Sequence, residues 1–298
     1  MRQRFTVIEG GAAAPGAVIA DAAVTGSFGG PVTWRIDLRK PLSIGEGEVA
    51  AWRALLVRSG AADPVHADPD YLLSAAQHQA GGREIVFALA WAVGAGPERL
   101  GAVVPLALPH TLWGHGRIVL WQPHGTAVAP TFATDSAAAV REALVERLRE
   151  LRPRAILILD EPAADAPQDR APAPRLAALP RRASIPAHSL IGVRAIHAPA
   201  PPVTEWISEP HRIRDAVEAF LLLDAEVSTA PIIADPSEAA MVRVVTRLFA
   251  QRRQATVALT RRDGAVVAAS VTLGVGAESV IWKQVAGNVA PERIARPA

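Results

Sequence analysis

Apolar residues change their spacing several times along this chain, and each change marks an element. VTWRIDL alternates apolar and polar side chains, the two-residue period of a strand over 32–38. GEGEVAAWRALLVRSG (45–60) switches to helical spacing, with Val49, Trp52, Leu55 and Leu56 on one side and Gly60 at the C-cap position. Asp68 caps a second short helix whose first residue, Pro69, lacks an N–H that would be unsatisfied there anyway. That helix carries Tyr71, Leu72, Leu73 and Ala76. Strands follow at 83–93, 99–109 and 117–123, with Pro97, Gly101 and Gly114 as turn markers. A helix over 135–150 and a strand over 156–160 end this stretch, and Arg141, Glu142, Glu146, Arg147 and Arg149 form a solvated face of that helix.

Residues 161–205 shift to Pro, Ala and Arg, which predicts an exposed connection with SLIGVRAI (189–196) as one strand inside it. The pattern then resumes. A helix over 211–225 places Val217, Phe220 and Leu221 on its core side, with Asp224 beside them. A helix over 236–251 starts at Asp235 or Ser237 and points Met241, Val244, Val245 and Leu248 inward. A hairpin over 255–274 closes at Arg262-Asp263-Gly264, and a strand follows at 279–286. The Ala/Gly-rich residues 1–31 show no period and read as a flexible arm. The chain therefore divides into that arm, a first unit over 32–200 with the connection at its end, and a second over 201–298. Each unit has two helices, a hairpin and a further strand; the first adds a helix and a strand, and the second stops.

Composition narrows the function classes. The 298 residues are half apolar and one-fifth charged, with a formal net charge of +2, so charge alone argues against a nucleic-acid partner. Of the 31 basic side chains only Lys40 and Lys283 are lysine, a bias that fits a GC-rich bacterial coding style. With no cysteine, thiolate nucleophiles, disulfides and cysteine zinc sites are excluded. The apolar runs are strand-sized and no secretory segment is evident, so a cytoplasmic protein without a membrane span is expected.

Candidate chemistry is sparse. Lys283 beside Trp282 on a strand suits either a residue set over a ligand or an edge lysine that blocks strand pairing. His110, His115 and His124 match no metal-ligand spacing, so no metal is expected. His124-Gly125-Thr126 follows the third strand of its unit, where either a residual ligand loop or plain loop structure fits. Asp160-Glu161 stands at a strand end, where such pairs are common without function. No nucleophile-elbow, Walker or dinucleotide motif is present.

The order helix pair, hairpin, strand, loop, helix, strand, in tandem, resembles the GNAT acyltransferase fold. The stretches WRALLVRSGAADPVHADPDYLLSAA, LGAVVPLAL, AVEAFLLLDA and DGAVVAASVTLGVGAESVIWKQVA resemble CelD-like acetyltransferases of cellulose biosynthesis, relatives of the Fem-type aminoacyl transferases. The resemblance implies an α/β protein of two GNAT-like mixed sheets flanked by helices, the second incomplete. It implies acetyl-CoA or another acyl-CoA as co-substrate, and a small-molecule or saccharide acceptor in polysaccharide or envelope synthesis. In such a domain the strand at 279–286 would bind the pantetheine arm through the backbone of Gln284, Val285 and Ala286. Arg293 and Arg296 would approach the pyrophosphate, with Lys283 over the donor or an acidic acceptor and Glu218 as an acceptor-side carboxylate. Asp224 would be a second such carboxylate; the alternative for both is a plain polar position of an amphipathic helix. The family's Ala-Tyr-Asp-Glu and Ser-Pro-Gly motifs are missing after Lys283, and Tyr71, the single tyrosine, lies in the other unit. No local phenol is therefore expected to serve as the acid. A degenerate pseudo-acyltransferase that binds a partner is the competing reading, and a Fem-type transferase the third. The open sheet edge of a shortened unit predicts a homodimer.

Overall fold

The computed structural model of the chain describes residues 32–94, 96–109, 116–124, 126–134, 136–159 and 201–287. The N-terminal arm and the SLIGVRAI strand lie outside these. The first unit opens with β1 (Thr33–Arg39), α1 (Glu46–Ser59) and α2 (Pro69–His78). It continues with β2 (Glu84–Val93), β3 (Arg99–Leu108), β4 (Gly116–Leu120), the two-residue β5 (Thr131–Phe132), α3 (Ala137–Leu151) and β6 (Ala155–Ile158). The second unit consists of β7 (Val203–Ile207), α4 (Pro210–Val227), α5 (Pro236–Gln251), β8 (Ala255–Arg262), β9 (Ala265–Leu273) and β10 (Val280–Ala286).

Local rules account for most of these boundaries. The Gly45 N–H donates to the Glu48 carboxylate at 2.9 Å where α1 starts, and Gly60 ends the helix in the left-handed conformation at φ 58°. Asp68 caps α2 by accepting from the Asp70 N–H at 2.8 Å. The β8–β9 turn has positive φ at both Asp263 and Gly264, the geometry that matches the right-handed twist of a hairpin.

The first sheet runs β1-β2-β3-β4-β6, antiparallel except for the parallel pair β4–β6, with β5 added to β3. The second runs β7-β8-β9-β10 and is antiparallel throughout. Element by element, β7-α4-α5-β8-β9-β10 repeats β1-α1-α2-β2-β3-β4 in kind, order and pairing. The tandem α/β class expected from the sequence is thus the one found. The second unit has no counterpart of α3 and β6 among the described residues. It opens with β7 rather than with a helix: VTEWI begins within the last residues of the stretch 161–205 expected to be a connection. Five residues beside the prolines of APAPP, edge-paired and with only Ile207 buried, give little periodic signal.

Side-chain alternation along β2 divides the core. Ile85, Phe87 and Leu89 face a large apolar cluster shared by α1, α2 and the whole second unit, whereas Val86, Ala88 and Ala90 face a smaller one under α3. One continuous core therefore joins the units, with α2 packed on α5. No helix among the described residues is long and apolar enough to cross a membrane.

Candidate active site

Because α2 packs on α5, the α1–α2 loop and α2 of the first unit meet α5 and β10 of the second. A cleft of ≈ 440 Å³ lies along this meeting line. From the second unit, Lys283 on β10 donates to the Glu238 carboxylate at 2.7 Å, and its ammonium sits 5.8 Å from the Trp282 ring centroid. Glu238 lies in the first turn of α5, where the backbone N–H groups favour a negative charge.

The opposite wall centres on Tyr71, whose side chain α2 presents almost fully buried, at 1 % exposure. Its ring meets Trp282 edge-on at 5.9 Å and His66 at 4.9 Å, so three rings bridge the units. The Tyr71 hydroxyl is 3.2 Å from that of Thr126. Burial raises the phenol above its ordinary pKa; hydrogen bonds with Thr126 and Trp282 pull the other way with less effect. The phenol is therefore protonated at neutral pH and available as a donor.

His66 comes from the turn before α2. Asp63-Pro64 opens that turn as Asp68-Pro69 opens the helix, a capping aspartate followed by proline. One Asp63 oxygen accepts from the His66 backbone N–H at 3.1 Å and the other lies 2.6 Å from Nδ1 of its ring. The loop after β4 forms the floor. Gln122 clasps the backbone of Val128 through both its amide oxygen and its nitrogen, and the His124 N–H donates to the Gln79 side chain at 2.9 Å. These bonds hold His124 and Thr126 at the cleft.

At the other end of α5, Arg252 at its C-terminus grips Asp68 through two nitrogens, at 2.9 and 3.0 Å, and reaches Asp70 at 3.0 Å. Arg53 reaches Asp70 at 2.8 Å. Burial raises the Asp68 pKa, and Arg252 opposes that rise.

Of the residues singled out in the sequence, Lys283 is in the cleft, and so is His124. Gln284, Val285 and Ala286 continue β10 beyond it, with the Val285 side chain turned into the core. The Gly287 N–H donates to the Val267 carbonyl at 2.9 Å. By antiparallel alternation the backbone groups of Gln284 and Ala286 then point away from β9. β10 is an edge strand among the described residues, and none of these pairs with that side. Glu218 lies elsewhere, on α4, held by both nitrogens of a two-point Arg243 contact at 2.6 and 2.8 Å. Asp224 is buried and accepts from the Ile232 N–H at 2.6 Å, so it ties down the turn after α4. Arg293, Arg296, His110, His115 and Asp160-Glu161 lie outside the described residues.

The expectation that no phenol is available does not survive the tertiary structure. Tyr71 reaches β10 because its helix docks on the other unit, a contact that no local periodicity reports. Asp63, His66 and Glu238 were missed for the same reason, whereas Thr126 belongs to the loop the sequence had offered as a ligand loop. The signal available was the repeated Asp-Pro cap with a histidine between its two copies.

No family model matches the chain, and neither does any curated protein. Among solved structures, a tandem GNAT protein from the clavulanic acid biosynthesis pathway (without AcCoA) aligns with a TM-score of 0.37 and 17% identity. The alignment covers 86% of this chain and 80% of that one.

Proposed function

We propose that this chain is an acyl-CoA-dependent acyltransferase that works at the cleft between its units, moving the acyl group to an amine or hydroxyl. The observation that carries this reading is the convergence of a strand with an open edge, β10, and a buried, protonated phenol, Tyr71, on one cleft. An open strand edge suits an amide-bearing pantetheine arm, which can pair with it as an added strand. Gln284 and Ala286 supply backbone groups that pair with no other strand among the described residues. Lys283 provides a cation beside them for the donor's phosphates or an anionic acceptor. Tyr71 can give its proton to the departing thiolate. A saccharide or envelope-precursor acceptor rests on the CelD-like segments alone.

Calorimetry with acetyl-CoA and longer acyl-CoAs tests the reading. The expected result is saturable binding; no heat at millimolar-range donor favours the non-enzymatic, partner-binding alternative. That alternative draws on the Lys283–Glu238 pair, which is satisfied without any ligand.

A further inference from the structure

We infer that His66, held in one tautomer by Asp63, is the general base that takes the acceptor's proton, so that each unit supplies part of one active site. This rests on the acyl-CoA reading above. Asp63 spends one carboxylate oxygen on the turn, through the His66 backbone N–H at 3.1 Å. That bond alone would cap the turn. The second oxygen goes to the ring nitrogen Nδ1 at 2.6 Å. A carboxylate can only accept there, so Nδ1 carries the proton, and in the neutral ring the lone pair is on Nε2.

The ring is further fixed by the edge-on contact with Tyr71, and only 12% of the His66 side chain is exposed. Both His66 and Asp63 line the same cleft as Lys283. The other titratable or charged groups lining it are Tyr71, His124 and Glu238. An imidazole with an orienting carboxylate on its far nitrogen is the arrangement that proton abstraction needs.

In the step, the acceptor's nitrogen or oxygen bonds to the thioester carbonyl carbon, and Nε2 of His66 receives the proton which that atom loses. The carbon–sulfur bond then breaks, sulfur leaves with the electron pair, and Tyr71 gives it a proton. His66 passes its proton to solvent and Tyr71 regains one, so acceptor and acyl thioester become acylated acceptor and free thiol. Asp63 acts through His66 and is a positioning residue.

The test uses the full chain, acetyl-CoA as donor probe, and water or ethanolamine as acceptor probe. Calorimetry reads donor binding, free-thiol release reads transfer, and nitrogen NMR of labelled histidine reads which ring atom of His66 holds the proton. In the unmodified protein the proton is expected on Nδ1, with the Nε2 resonance moving when acetyl-CoA is added. His66→Gln is expected to bind donor as the unmodified protein does while thiol release slows on the order of a hundredfold. Asp63→Asn can still cap the turn, and is expected to lose the tautomer preference together with part of the rate. Thiol release in His66→Gln within about twofold of the unmodified protein, or a proton on Nε2, overturns the inference and leaves the acyl-CoA reading standing. Donor binding with no thiol release at all overturns it too. No donor binding in the unmodified protein overturns both.

Discussion

Lys283 and Glu238 form an ion pair with 28% and 29% of their side chains exposed. Pairs this close to water contribute about 0–1 kcal/mol, so an incoming anion can take over the ammonium at little cost. Lys283→Ala should therefore barely change the urea midpoint, yet weaken acetyl-CoA binding about tenfold, the loss of one charge-assisted bond. Unchanged affinity in calorimetry would remove Lys283 from the site. Glu218 gives the contrasting case. The hydrogen bond from Arg243 lowers its pKa below the ordinary 4.5, so its contribution to stability is present above that value and lost as pH falls through the lowered one. Both partners are nearly half exposed, so Glu218→Gln should cost no more than about 0.5 kcal/mol near neutral pH. The deficit should vanish in acid, and a deficit that persists there would mean the contact is not electrostatic. No change in thiol release is expected, because the pair stands outside the cleft.

At the scale of elements, the turn from β9 to β10 shows how closely the units fit. Gly274 has φ +90°, and a Cβ there would stand 2.8 Å from Cγ2 of Val65 and 3.0 Å from the Glu278 carbonyl oxygen. Gly274→Ala should destabilise by about 2–4 kcal/mol, the sum of a disfavoured φ and an overpacked contact. A thermal midpoint within error of the unmodified protein would count against that close approach. Elements whose packing is local were legible in the sequence: α1, α2, α3, the β8–β9 hairpin and β10 all fall within a few residues of their expected limits. β7 was not, for it carries no inward run. The inward face of α5 was legible only in part. Met241 and Val245 are buried as expected, but Val242 and Phe249 are buried where Val244 and Leu248 were expected. α5 packs against α2 as well as its own sheet, which widens and rotates its apolar face. The same docking assembles the cleft, so Lys283 could be found from its own strand whereas Tyr71 and His66 could not.

For the whole molecule, the decisive contact is the one that keeps the cleft walls together. Arg252 from the second unit is the main counter-charge of Asp68, the buried N-cap of α2. Removing one member of a buried pair costs about 3–5 kcal/mol, because the other charge stays behind without compensation. Arg252→Met should lower stability by that order, softened by Arg53, which is 3.9 Å from the same carboxylate. Asp68→Asn keeps the cap and removes the charge, so the double variant should lose less than the two singles combined, with a coupling of about 1–3 kcal/mol. The pH dependence has a definite sign. Burial already raises the Asp68 pKa above 3.8, so in the window between those values the folded protein binds more protons than the unfolded chain, and stability falls as pH rises. Loss of Arg252 widens that window. The deficit of Arg252→Met should therefore be greatest at neutral pH and shrink toward the acid side, whereas it would be independent of pH if the arginine merely packed. Urea midpoints at neutral and acid pH separate the two. Because one core runs through both units, the unmodified protein should unfold in a single transition. If Arg252→Met instead splits it in two while donor binding persists and thiol release collapses, the clamp holds the base and acid of one unit against the donor strand of the other.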